Sequence, residues 1–116
     1  MKTKRKNNPF RAVRRAYQEL HSELVKAYWK TDNRTAKNSI QDLSGDIYDL
    51  LSELESKAFS DKTADFKCFA LKASRISVKI EKSRKQIGKI IKSATAASKI
   101  AAAMDKALEA SANLVL

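Results

Sequence analysis

The sequence predicts an all-α protein folded as an antiparallel helical bundle. The bundle has three helices with a long C-terminal one, or four if the chain turns near Gly88–Ser93. Three observations carry this. A heptad-spaced apolar stripe runs from Phe66 through Phe69, Ala73, Ile76, Ile80, Ser83, Ile87, Ile90, Ala94, Ala97, Ala101, Met104, Leu108 and Ser111 to Val115, with thirteen of fifteen positions apolar. Such 3-4 spacing marks a helix with one buried face. Breakers are scarce, with Pro once and Gly twice in 116 residues. The cap and turn signals that do occur fall at regular intervals.

Residues 1–8 read as a basic flexible arm, followed by a single helical-bundle domain over 9–116. Pro9 suits the first position of a helix, with Asn8 as its cap. The first helix places Phe10, Val13, Tyr17, Leu20, Leu24 and Ala27 or Tyr28 on one face and ends near Trp29–Thr31. Thr31-Asp32-Asn33 is a turn and N-cap signal. The second helix carries Ala36, Ile40, Leu43, Ile47, Leu50 and Leu54 and ends near Phe59. Gly45 lies inside it, off the apolar face. Ser60-Asp61 is the next cap signal, and the long stripe follows. Either residues 61–114 form one helix, or the chain bends near Gly88 with Ser93 capping a fourth. The heptad register crosses that region unchanged.

Charge is segregated along the chain. The net formal charge is +11, divided as +8 over residues 1–37, −5 over 38–66, +8 over 67–92 and zero over 93–116. Folding the second helix against the third pairs Asp49 with Lys72, Asp46 with Arg75 and Asp42 with Lys79, an arrangement that sets register between antiparallel helices. Lys82, Arg84, Lys85, Lys89 and Lys92 lie beyond the reach of those acids and remain as candidate phosphate contacts. A second candidate group is the N-terminal arm and first helical turns, with Lys2, Lys4, Arg5, Lys6, Arg11, Arg14 and Arg15. Seven basic residues among the first fifteen, with no acid before Glu19, form an electrostatic arm of the kind that binds nucleic acid. Lys85, Lys92, Lys99 and Lys106 recur every seven residues on the back of the stripe and read as a solvated face.

Catalysis and cofactors find no support. His21 is the single histidine and Cys68 the single cysteine, so no zinc-ligand spacing exists. Cys68 reads as a buried thiol, and one cysteine without a disulfide partner fits a reducing, cytoplasmic setting. Most aromatics fall at helix-seam positions. Tyr28 and Trp29 are adjacent and cannot share a face, so one is exposed at a helix end, where it suits a protein contact or stacking.

Three functions are expected in descending order. The first is a non-enzymatic basic accessory subunit that binds nucleic-acid phosphates without sequence specificity, within a larger complex. The second is a protein-interaction or self-assembly module, a homo-oligomer joined through the apolar seam of residues 66–115. The third is a membrane-surface helix over residues 84–108, weakened by the absence of Trp there.

Overall fold

The computed structural model describes residues 9–56 and 64–114. The N-terminal arm with Lys2, Lys4, Arg5, Lys6 and the Asn8 cap, the end of the second helix toward Phe59, and the Ser60-Asp61 cap lie outside the described residues. Five helices follow in order: α1 Pro9–Lys30, α2 Arg34–Ser56, α3 Ala64–Lys85, the single turn α4 Ile87–Ile90, and α5 Ala94–Ala112.

The four long helices pack antiparallel in a ring, each against its two neighbours. Ion pairs and ring contacts fix the pairings. His21 meets Tyr48 between α1 and α2. Lys79 meets Asp42 and Asp46 between α2 and α3. Arg84 meets Asp105 between α3 and α5, and Lys106 meets Glu19 between α5 and α1. The molecule measures 47 × 28 × 21 Å, the proportions of a short up-and-down bundle.

Helices α1 and α2 bury the faces that their periodicity predicts. Val13, Tyr17, Leu20, Leu24 and Ala27 from α1 meet Ile40, Leu43, Ile47, Leu50 and Leu54 from α2. Phe10 is half-buried and closes the core against Phe66 and Phe69, with ring centroids 5.4 and 5.9 Å away. The turn between these helices uses the predicted residues. Asn33 Oδ1 accepts the Ala36 N–H at 2.9 Å, and Thr31 Oγ1 accepts the Asn33 N–H at 3.3 Å. Asn33 thereby satisfies one of the unpaired N–H groups at the start of α2.

The C-terminal stripe is not one helix. The chain leaves α3 at Gln86, makes the turn α4, becomes extended at Ile91 (φ −111°, ψ 114°) and restarts at Ser93. Ser93 Oγ accepts the Ala96 N–H at 3.2 Å, so the expected cap is used. Gly88 does not make the bend, because its backbone is helical and a Cβ there would meet nothing within 4 Å. Burial makes the bend. Ile91 is 6% exposed, and with half-buried Ile87 and Ile90 it closes the end of the core beside Leu24, Ile40, Leu43 and Met104. A straight helix would leave these isoleucines in water, at a cost of roughly 1.5–3 kcal/mol for each one fully buried here.

The bend also resets the register. Up to Ile80 the predicted seam is the buried face. In α5 the buried line is Ile100, Ala103, Met104, Ala107 and Ala110, with Leu114 buried just past the helix, while Ala97, Ala101 and Leu108 are half-buried and Ala94 is exposed. A heptad count assumes a continuous helix, and the extended residues at 91–93 rotate the face that follows. The α2–α3 ladder keeps one predicted pair, Asp42 with Lys79 at 3.2 Å. In the other two the partner lies one helical turn away: Lys72 pairs with Glu53 rather than Asp49, and Asp46 meets Lys79 at 2.5 Å rather than Arg75. A shift of one turn keeps both apolar faces inward.

Candidate nucleic-acid interface

The bundle's topology sorts the predicted basic residues. Arg11, Arg14 and Arg15 lie on the first turns of α1, at the end where α2 and α5 finish. Lys82, Arg84 and Lys85 lie on the last turn of α3, Lys89 on α4 and Lys92 in the loop after it. The two groups therefore occupy opposite ends of a helix bundle, because α1 and α3 run parallel and one group starts α1 while the other ends α3.

The structure instead joins the second group to residues that linear reading passed over. The α1–α2 turn sits beside the α4–α5 corner, and the two form a cleft of about 430 Å³ lined by Lys30, Thr31, Asp32, Asn33, Ile91, Lys92 and Ser93. Lys26, Lys30, Arg34 and Lys37 thus share an end with Lys82, Lys85, Lys89, Lys92 and Lys99. Residues 26–37 and 82–99 carry ten basic side chains and one acid, Asp32. The other described residues carry eight basic and eleven acidic side chains. One end is at +9 and the remainder at −3. The missed residues had a signal: block 1–37 was already strongly basic, but its charge belongs to both ends of α1.

Not every predicted cation is free. Arg84 grips Asp105 with two nitrogens, at 3.1 and 3.3 Å, so it is a register residue between α3 and α5. Lys106, placed on the solvated row, meets Glu19 at 3.6 Å. Lys72 has its pKa raised above 10.5 by its hydrogen bond to Glu53 and then by that carboxylate's charge. Lys79 has its pKa raised by hydrogen bonds to Asp46 and Asp42. These pairs span helix to helix and hold their cations on the bundle's flanks. By contrast Lys30, Arg34, Lys82, Lys85, Lys89 and Lys92 are exposed and make no ion pair with any described residue.

Local electrostatics suit an anion at this end. The last turns of α1 and α3 carry Lys30 and Lys82, Arg84 and Lys85, where cations meet the negative end of the helix dipole. The first turns of α2, α4 and α5 hold no acid. Of Tyr28 and Trp29, the tryptophan is the exposed one, at 75%, and it stands at this same end. Its ring meets Tyr28 edge-to-face at 5.3 Å.

Cys68 is exposed rather than buried, since it falls one position before the seam residue Phe69. Among the described residues no group of His, Cys, Asp or Glu is placed to hold a metal ion, and no helix is long and apolar enough to cross a membrane. Segment 84–108 is divided by the bend at Gln86–Ser93. Comparison with protein-family models, curated proteins and solved structures finds no match to this chain.

Proposed function

We propose that this protein is a small non-enzymatic subunit that binds nucleic acid through phosphate contacts at the basic end of its bundle. The observation that carries this reading is the convergence of two sequence-distant turns at one end of the bundle, where Lys30, Arg34, Lys82, Lys85, Lys89 and Lys92 are exposed and make no ion pair with any described residue. Lysines dominate the surface, so each contact acts as a point charge, and nothing there is arranged to read base edges. Binding is therefore expected to be independent of sequence and steeply dependent on salt. Fluorescence anisotropy with labelled DNA and RNA across a potassium chloride series tests it. An absence of binding at low salt removes the reading.

The competing reading, self-assembly through residues 66–115, drew on an apolar seam in need of a cover. The fold supplies that cover from within the chain, since Phe66, Phe69, Ile76, Ile80, Ile100 and Met104 share one core with α1 and α2. Arg11, Arg14 and Arg15 lie outside the proposed surface, and acids accompany them: Arg11 and Arg15 line a cleft with Glu19 and Glu109.

A further inference from the structure

Among the described residues Trp29 is the most exposed of the large apolar side chains that reach the surface, ahead of Val25, Tyr48, Leu71 and Val78. A single exposed apolar residue is ordinary in itself. The setting of Trp29 is not. It follows Lys26 and precedes Lys30 on the last turns of α1, within the basic end. Tyr28 braces its ring edge-to-face. The Lys37 ammonium, reaching across from α2, lies 4.5 Å from the Tyr28 centroid and 5.8 Å from that of Trp29. The indole is thus oriented by two neighbours while most of its surface stays open to solvent. Lys30, the next residue, lines the cleft with Lys92, and Trp29 stands about 100° round the last turn of α1 from it, outside the cleft lining but at the same end of the bundle.

We infer that Trp29 is a stacking platform for a base of single-stranded nucleic acid whose backbone lies on the lysines of the basic end. This rests on the proposed phosphate binding and adds a substrate class to it. Every base has a π face, so stacking adds affinity without sequence preference. A duplex keeps those faces stacked internally and offers none along its length. The protein therefore prefers single strands to duplexes.

Trp29 is the only tryptophan, so its intrinsic fluorescence reports directly on the site. The probes are a short oligothymidylate, an abasic deoxyribose-phosphate strand of equal length, and a duplex. Oligothymidylate should quench Trp29 and bind about 5- to 150-fold more tightly than the abasic strand, the range for one stacked base. Trp29→Ala should lower oligothymidylate affinity to that of the abasic strand and leave duplex affinity unchanged. Trp29→Phe should keep most of the preference, and unchanged far-ultraviolet circular dichroism verifies the fold of each variant. Equal affinity for the two single strands with unquenched fluorescence overturns the stacking platform and leaves phosphate binding standing. Failure of all three probes to bind at low salt overturns both. Undiminished oligothymidylate binding by Trp29→Ala also overturns the platform and assigns the indole to a protein contact.

Discussion

Removing the same charge from one end of the bundle or the other separates a built interface from a merely basic protein. Lys89→Gln with Lys92→Gln removes two charges from the basic end. Arg14→Gln with Arg15→Gln removes two from the opposite end. All four side chains are exposed and make no ion pair with any described residue, so neither pair disturbs the core. For single strands the slope of log K against log salt is about −0.7 per phosphate neutralised. If Lys30, Arg34, Lys82, Lys85, Lys89 and Lys92 each engage one phosphate, the wild-type slope is about −4. Raising salt fourfold then weakens binding by about 300-fold. The lysine pair should flatten the slope by about 1.4, a sevenfold smaller loss over the same range. The arginine pair should leave the slope unchanged. Anisotropy titrations with an oligothymidylate read both. Equal flattening by the two pairs would refute the argument, because binding would then follow net charge. Flattening by the arginine pair alone would move the interface to the other end.

The remaining predictions concern the scaffold. Gly45→Ala should stabilise the protein by about 1 kcal/mol, since Gly45 is exposed within α2 and a Cβ there meets nothing within 4 Å; the urea midpoint measures it, and a loss of stability would contradict the packing. Ile91→Ala should cost about 2–5 kcal/mol, because Ile91 seals the core at the bend, whereas Gly88→Ala should be tolerated. Alkaline pH should destabilise the fold. The Tyr17 phenol is raised above 10.0 chiefly by burial, opposed by its 2.6 Å hydrogen bond to Ser111 and by nearby Ser77, whose hydroxyl stops short of good hydrogen-bond geometry. Lys79 is raised above 10.5. Each of these groups has a folded pKa above its unfolded one, so its contribution is complete below 10.0 or 10.5 and is lost as pH climbs through the raised value. Tyr17→Phe should flatten that alkaline limb and cost about 1 kcal/mol at neutral pH; an unchanged limb would exclude Tyr17 as a cause.

Most of the scaffold was legible because helix faces are local. The buried residues of α1, α2 and the first half of α3 follow from a 3.6-residue period and need no knowledge of the partner. Asn33 and Ser93 were legible as caps for the same reason. The bend was legible in its place, as one of two readings near Gly88–Ser93, but not in its cause. Its cause is the packing of three isoleucines against Leu24, Ile40 and Met104, residues far away in sequence, and Gly88 turned out to be incidental. The interface was half legible. Lys82, Lys85, Lys89 and Lys92 emerged by subtracting the acids of α2, but subtraction within one hairpin could not see Asp105 reach back to Arg84. Nor could it see Lys30 and Arg34 arrive from the first turn, since that depends on α5 folding back beside α1.

Assembling ten cations at one end works against the fold. Like charges brought within a Debye length repel, and the acids beside them, Asp105 on Arg84, Glu23 on Lys26 and Asp32 in the cleft, are outnumbered. The helix C-termini of α1 and α3 offset part of this through Lys30, Lys82, Arg84 and Lys85, each exposed contact contributing a few tenths of a kcal/mol. Lys92, in the loop, gains no such offset, and Lys89 gains little from the single turn of α4. A chain selected for stability alone would place neutral residues there. Lys89→Gln with Lys92→Gln should therefore weaken nucleic-acid binding and at the same time leave the fold as stable or slightly more so, the mark of residues kept for function at the expense of stability. Paired urea denaturation at low salt decides it. If the double variant is less stable than the wild type, the two lysines support the bend at α4 rather than a ligand, and the basic end loses its claim to be an interface.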